Sequence, residues 1–289
     1  MKSSNMVYEP VVLSHFQTQA LIDAKKKQIK TMKGFINLGI ELVNHIVNGS
    51  GVTIEDEIFV TWEKLEKINK SKNSCFVVDK NGNIKKIKTF SQKTNQLYSL
   101  MPTKRAPTML ISGFLMHRIK GTDPFQDTQE KIKAIKPIFG RTLDTATGLG
   151  YTAIEASKTA NHVTTIEVDP AAQEIASQNP WSKELFNNDK IKQLIGDSFH
   201  IIKEFEDSSF SCVMHDPPAF NLAGQLYSLE FYNQLFRVMD KKGKLFHYIG
   251  NPKSPSGSKH TRGVIDRLRK AGFSKIVKRP SAFGLLVYK

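Results

Sequence analysis

Apolar and polar residues change rhythm partway along this chain. From Gly34 to about Thr94, short stretches alternate and are rich in β-branched residues. INLGIEL, HIVNGSGVTI with its Asn48-Gly49 turn, and EIFV read as strands, with a short helix at WEKLEKI. CFVVDKNGNIKKIKTF predicts a hairpin, because Asn81-Gly82 lies between two alternating runs. Upstream, HFQTQALIDAKKKQIKTMK reads as a helix with a basic face, expected to be a peripheral arm. Downstream, TMLISGFLMHR predicts strand, turn, strand, and Asp127 or Thr128 is positioned to cap a helix running through Ile135.

From Arg141 onward the period changes to strands alternating with helices. RTLD leads into a glycine turn at Gly148 and Gly150, Tyr151 to Lys158 is a helix, and His162 to Val168 is a buried strand. PAAQEIASQNP, KIKQLIGD, the helix from Ser198 to Phe205, FSCVMHDPPAF, LYSLEFYNQLFRVMD, GKLFHYIGNP and TRGVIDRLRKAGF continue the alternation. KIVKRPSAFGLLVYK ends the chain as two strands. Short connections between alternating elements imply a mostly parallel sheet with helices on both faces, and the last pair adds one antiparallel strand. The expected organisation is a basic, mostly β or α+β domain over residues 1–120, followed by an α/β domain over 121–289.

At 289 residues the chain can hold two modest cores. No apolar run is long enough to span a membrane and MKSSNMVYEP lacks a secretory core, so a cytoplasmic protein is expected. The two cysteines, Cys75 and Cys212, sit in apolar runs and read as buried thiols. They offer neither a disulfide framework nor a metal set. The formal charge of +15 is uneven: 22 lysines and arginines face 12 acids up to Gly140, and 20 face 15 beyond it. An excess concentrated in the front half suits a phosphate-rich partner, unless it is only a solvated lysine surface.

The glycine turn, an acid-ended second strand, and a proline pair after the fourth strand form a recognisable set. DTATGLG, EVD, the Gly196-Asp197 pair and HDPPAF together resemble the class I S-adenosylmethionine-dependent methyltransferases, over about half the chain from near Arg141 to Lys289. GLGYTA with an upstream MHR is similar to a group of predicted archaeal methyltransferases. The resemblance implies a Rossmann-like sheet and S-adenosylmethionine as cofactor, with no metal. It implies that Asp144 lies near the methionine moiety, with Ala146, Gly148 and Gly150 in the loop against it. Ala146 replaces a glycine common in the family, which ordinary dihedrals would tolerate. Glu167 is the first choice for the ribose hydroxyls and Asp169 the second. Asp197, beside Ser198, would accept from the adenine amino group, or else only cap the following helix.

By the same resemblance HDPPAF is the active-site loop. Asp216 and a carbonyl of the Pro217-Pro218 pair would accept protons from a planar amino group, and Phe220 would stack on it, displaced one position by Ala219. Met116, His117 and Arg118 precede the loop in sequence and are candidates for contacting ligand or substrate. The expected reaction is methyl transfer to a nitrogen of an RNA base, in tRNA or rRNA; a protein nitrogen is an alternative. A second alternative is an aminopropyltransferase of the spermidine synthase type, which the sheet and LYSLEFYNQLFRVMDKKGKL resemble. That family needs an acid three residues before the Asp-Pro pair, where Val213 stands. A third is a noncatalytic RNA-binding module. No cysteine in HYIGNP serves carbon-directed chemistry.

Overall fold

The structure is a computed structural model describing residues 10–220, 222–251 and 255–289, with side chains from 257 onward in the last segment. The reading of MKSSNMVYE and of Pro252 falls outside them. The chain divides into two compact units, residues 1–124 with 177–181, and residues 125–176 with 182–289. Among the described residues no helix is long and apolar enough to cross a membrane.

The first unit is built from antiparallel sheets. One has the strands Thr31–Ile36, Glu41–Val47, Gly51–Ile54 and Ile58–Thr61 in sequence order, and Trp62–Lys70 follows as a helix. The hairpin at Asn81-Gly82 joins Phe76–Val78 to Ile84–Lys86, with Val11–Leu13 on the other side of Phe76–Val78. Asp79 Oδ1 accepts from the Asn81 and Asn83 amides, and a side chain at Gly82 would strike the Phe59 carbonyl. A further sheet pairs Lys88–Ser91, Gln96–Met101, Thr108–Ile111 and Phe114–Leu115.

The helix His15–Lys26 is not a peripheral arm. Its apolar side buries Leu21 and Ala24 in the core with Val52, Val60 and Leu65, which outweighs the basic appearance of its outer face. Ser14 and Gln17 close a capping box at its start.

The second unit carries a seven-stranded sheet, numbered here β1 (Arg141–Asp144), β2 (His162–Glu167), β3 (Ile191–Ile195), β4 (Phe210–His215), β5 (Met239–Tyr248), β6 (Lys275–Arg279) and β7 (Gly284–Tyr288). Their spatial order is 3-2-1-4-5-7-6, with β7 antiparallel to both neighbours and the remaining pairs parallel. This is the Rossmann-like α/β sheet expected of class I methyltransferases. Register places Leu143, Val213, Leu245 and Val287 in one row across four strands, and all four are fully buried. The helix Leu229–Val238 packs Phe231, Tyr232 and Leu235 into the same core, and the helix Pro255–Lys270 adds Val264 and Leu268.

Among the boundaries that differ from the sequence reading, β5 begins at Met239, inside the stretch read as helix, and two helices start earlier than expected. The helix ending at Ile135 starts at Pro124, so Asp127 lies in its first turn and its carboxylate pairs inward instead of capping. The late helix starts at Pro255, through a Pro-Ser-Gly-rich stretch that reads locally as loop.

Candidate active site

Strand order reverses between β1 and β4, which have successors on opposite sides, and such a switch point leaves a crevice at the carboxyl ends of the strands. Asp144 ends β1 and Asp216 directly follows β4, so the two acids flank that crevice. Glu167 ends β2, and Asp197 lies two residues beyond β3.

Asp144 is fully buried. Its Oδ2 accepts from the Thr152 hydroxyl at 2.7 Å and its Oδ1 from the Ala146 amide at 3.3 Å, and neither partner is charged. Burial pushes its pKa up to about 7, against the pull of these two donors. Ala146 keeps a negative φ, so an alanine is accommodated at this loop position without backbone strain.

The two loop glycines differ in role. Gly148 has φ +53° and open space where a side chain would stand. Gly150, at φ +77°, is constrained by that left-handed backbone and by packing, since a side chain there would meet Leu185 at the start of the helix Tyr151–Ser157.

Glu167 turns back over this loop. Its Oε2 accepts from the Gly148 amide at 2.9 Å and its Oε1 from the Asp169 amide at 3.1 Å, while burial raises its pKa despite these bonds. Asp169 lies beyond the end of β2, not on the strand face two residues after Glu167. It is buried, and its Oδ1 accepts from the Ala171 amide at the start of the helix Pro170–Ser177. Glu167 is thus held against the glycine loop, and Asp169 against the start of the next helix.

Asp197 has the capping role that the sequence left as its alternative. Its Oδ1 accepts from the Phe199 amide at 2.9 Å and its Oδ2 from the Gln225 side chain at 3.0 Å. An adenine amino group there would share the Asp197 carboxylate with these two donors, since each oxygen can accept a second hydrogen bond. Ser198 is buried and donates to the Thr145 carbonyl at 2.6 Å, which fixes the loop after β1.

At Asp216 the structure adds a residue the sequence reading missed. Lys131, 4% exposed, places Nζ 2.6 Å from Asp216 Oδ2 and 2.7 Å from Asp127 Oδ2, and 4.7 Å from the centroid of the Tyr248 ring. Burial alone would lower the Lys131 pKa, but the two carboxylates outweigh it and raise it. Lys131 is therefore a permanent cation that keeps Asp216 ionised and fixed in direction. The i,i+4 spacing of Asp127 and Lys131 was visible in the sequence; the partner 85 residues away was not.

The proline loop is braced from below. The Tyr227 hydroxyl donates to the Pro218 carbonyl at 3.0 Å, and burial raises its pKa. His215 Nε2 faces the Leu226 carbonyl at 3.0 Å, which can only accept, so Nε2 carries the proton and Nδ1 accepts from Thr145 Oγ1 at 2.7 Å. Burial lowers the His215 pKa to about 3, so this neutral tautomer holds at physiological pH and ties the loops after β1 and β4 together. Phe220 is 53% exposed, with its ring edge-to-face against Tyr227 and His260.

The three upstream candidates lie in the first unit, where the Met116 amide donates to the Met109 carbonyl at 3.0 Å. His117 Nδ1 and Thr108 Oγ1 share a hydrogen bond at 3.0 Å, and Arg118 beside it is half-buried.

No family model matches the chain. Its sequence is 30% identical over 123 residues to a polyamine aminopropyltransferase of Sulfurisphaera tokodaii, a match spanning 41% of this chain and 39% of that one. The crystal structure of spermidine synthase from Thermotoga maritima has a similar fold, with a TM-score of 0.56, 17% identity and coverage of 73% of this chain and 76% of that one. A stronger match runs through both units: 44% identity over 232 residues, covering 80% of this chain and 78% of the uncharacterized protein MJ1233 of Methanocaldococcus jannaschii, so the chain belongs to the family of that protein.

Proposed function

We propose that this chain is an S-adenosylmethionine-dependent methyltransferase acting on a nitrogen of an RNA base. The observation that carries the proposal is Asp216: an ionised acceptor fixed by Lys131 at the switch-point crevice, followed by a stiff proline pair and an exposed aromatic ring. The cofactor would supply an activated methyl group on a sulfonium. Asp144 fits its ammonium, because a buried carboxylate with only neutral hydrogen-bond partners gains most from a nearby cation. Glu167 has acceptor capacity beyond its two amide partners for ribose hydroxyls, and open space at Gly148 suits close approach of the ligand.

On this reading Asp216 accepts a hydrogen bond from the target amino group, which directs the nitrogen lone pair at the methyl carbon. Phe220 holds the plane of the base, and in-line positioning provides most of the acceleration. RNA as the partner rests on the +15 charge and its concentration in the front half.

An aminopropyltransferase is the second reading, favoured by the relative in Sulfurisphaera tokodaii. Against it stands Val213, a fully buried core residue of β4 where that chemistry needs an acid. The test is incubation of the purified chain and methyl-labelled S-adenosylmethionine with RNA, protein and small-molecule fractions. Label should enter RNA and survive digestion to an N-methylated base; label confined to protein or small molecules would refute the RNA assignment.

A further inference from the structure

Beside the proline loop lies an open groove of about 390 Å³, lined by Phe220, Lys259, His260, Gly263 and Arg267. Its volume lies within the range of about 300–1,000 Å³ common to small-molecule sites. One wall is aromatic. Phe220, Tyr227 and His260 pack mutually edge-to-face with centroids 5.1–5.5 Å apart, an arrangement that holds Phe220 still while leaving it 53% exposed. The other wall is cationic, formed by Lys259 and Arg267 on the helix Pro255–Lys270.

Arg267 is aimed by its own backbone contact. Its Nε donates to the Tyr227 carbonyl at 2.7 Å, so the planar guanidinium is oriented before any ligand arrives. Gly263 sits one turn away, mid-helix, where glycine costs about 0.8–1 kcal/mol relative to alanine. A side chain there would meet Arg267 Nη1 at 3.4 Å, so the glycine leaves room around the guanidinium. His260 has its pKa lowered by burial and by Arg267, and is neutral at physiological pH. An anchored guanidinium and an exposed ammonium beside a neutral aromatic wall suit an anion attached to a flat ring system; they oppose a polyamine.

We infer that this groove binds one nucleotide unit of the acceptor substrate, with a base against Phe220 and His260 and its phosphate at Lys259 and Arg267. The inference rests on the methyltransferase reading for its connection to Asp216, which precedes Phe220 by four residues. It adds the substrate class: the acceptor reaches the site as a phosphate-bearing nucleotide, in an RNA strand or as a free mononucleotide.

The test uses the full chain and follows the His260 imidazole signal by NMR, assigned with His260→Gln. The probes are an equimolar mixture of the four nucleoside 5′-monophosphates, the matching nucleosides, and a mixed-sequence RNA octamer. The monophosphates should shift the signal saturably, the nucleosides at least 10-fold less tightly, and Lys259→Glu should weaken monophosphate binding at least 10-fold. An octamer binding tighter than the monophosphates assigns the groove to RNA, and equal affinity assigns it to a free nucleotide. A His260 signal unmoved by every phosphate-bearing probe, or Lys259→Glu binding as wild type, overturns the proposal. S-adenosylhomocysteine binding, followed separately, should be unchanged in Lys259→Glu. If the wild type fails to bind S-adenosylhomocysteine yet the monophosphates still shift His260, the methyltransferase reading fails and the groove assignment stands.

Discussion

Replacing Asp144 with Asn should make the protein more stable and less able to bind its cofactor. The folded-state pKa of Asp144 is about 7, against an ordinary 3.8, so the folded chain holds this proton more tightly than the unfolded chain does. Below pH about 4 the carboxyl is protonated in both states and costs nothing. Between about 4 and 7 stability falls as pH rises, and above 7 the full penalty applies. A shift of about three units at about 1.4 kcal/mol per unit amounts to about 4 kcal/mol, an upper figure because the site can relax around the charge. Asn cannot ionise, and it can keep both hydrogen bonds if the Thr152 hydroxyl turns to accept. Urea unfolding at pH 5.5 and 8.5 should show wild type losing about 2 kcal/mol between these pH values relative to Asp144→Asn. Binding of S-adenosylmethionine should fall at least 10-fold in the variant, because the ammonium loses its counter-charge. Parallel pH profiles would refute the burial argument, and unchanged affinity would refute the ammonium assignment.

Other predictions separate neighbouring roles. Glu167→Ala should weaken S-adenosylmethionine binding by about 1–3 kcal/mol in calorimetry, whereas Asp169→Ala should leave affinity near wild type and lower unfolding free energy by about 0.5–2 kcal/mol through loss of its cap. Lys131→Met strands the buried Asp127 carboxylate and leaves the partly exposed Asp216 without its cation, and should destabilise by about 3 kcal/mol in urea, with Asp127→Asn in the same chain restoring part of the loss; a neutral effect would contradict the ion-pair geometry. RNA binding by the full chain should weaken steeply between 50 and 200 mM salt in a mobility-shift titration, and salt-independent binding would remove phosphate contact as its basis.

What was legible in the sequence was local or periodic. The alternation of strand and helix fixed the sheet, and the glycine loop, EVD and DPP placed Asp144, Glu167 and Asp216 at neighbouring strand ends. What escaped came from contacts between distant residues. Nothing near Lys131 signals a partner 85 positions away, and the brace from Tyr227 to Pro218 depends on how the loop after β4 folds back. The choice between Glu167 and Asp169 needed the end of β2, since two residues more of strand would have kept both acids on one face. His260 and Arg267 entered only when the helix from Pro255 was seen beside Phe220 and Tyr227, because those contacts join residues about 40 positions apart.

The central claim is that Asp216 orients a nitrogen for methylation, and donor preference tests it most directly. Wild type and Asp216→Ala should be assayed side by side with methyl-labelled S-adenosylmethionine plus RNA, and with decarboxylated S-adenosylmethionine plus putrescine. The account predicts methylation by the wild type, a loss of about 100-fold or more in Asp216→Ala with cofactor affinity retained, and no polyamine product from either. Robust polyamine formation by the wild type, or methylation undiminished in Asp216→Ala, would contradict it.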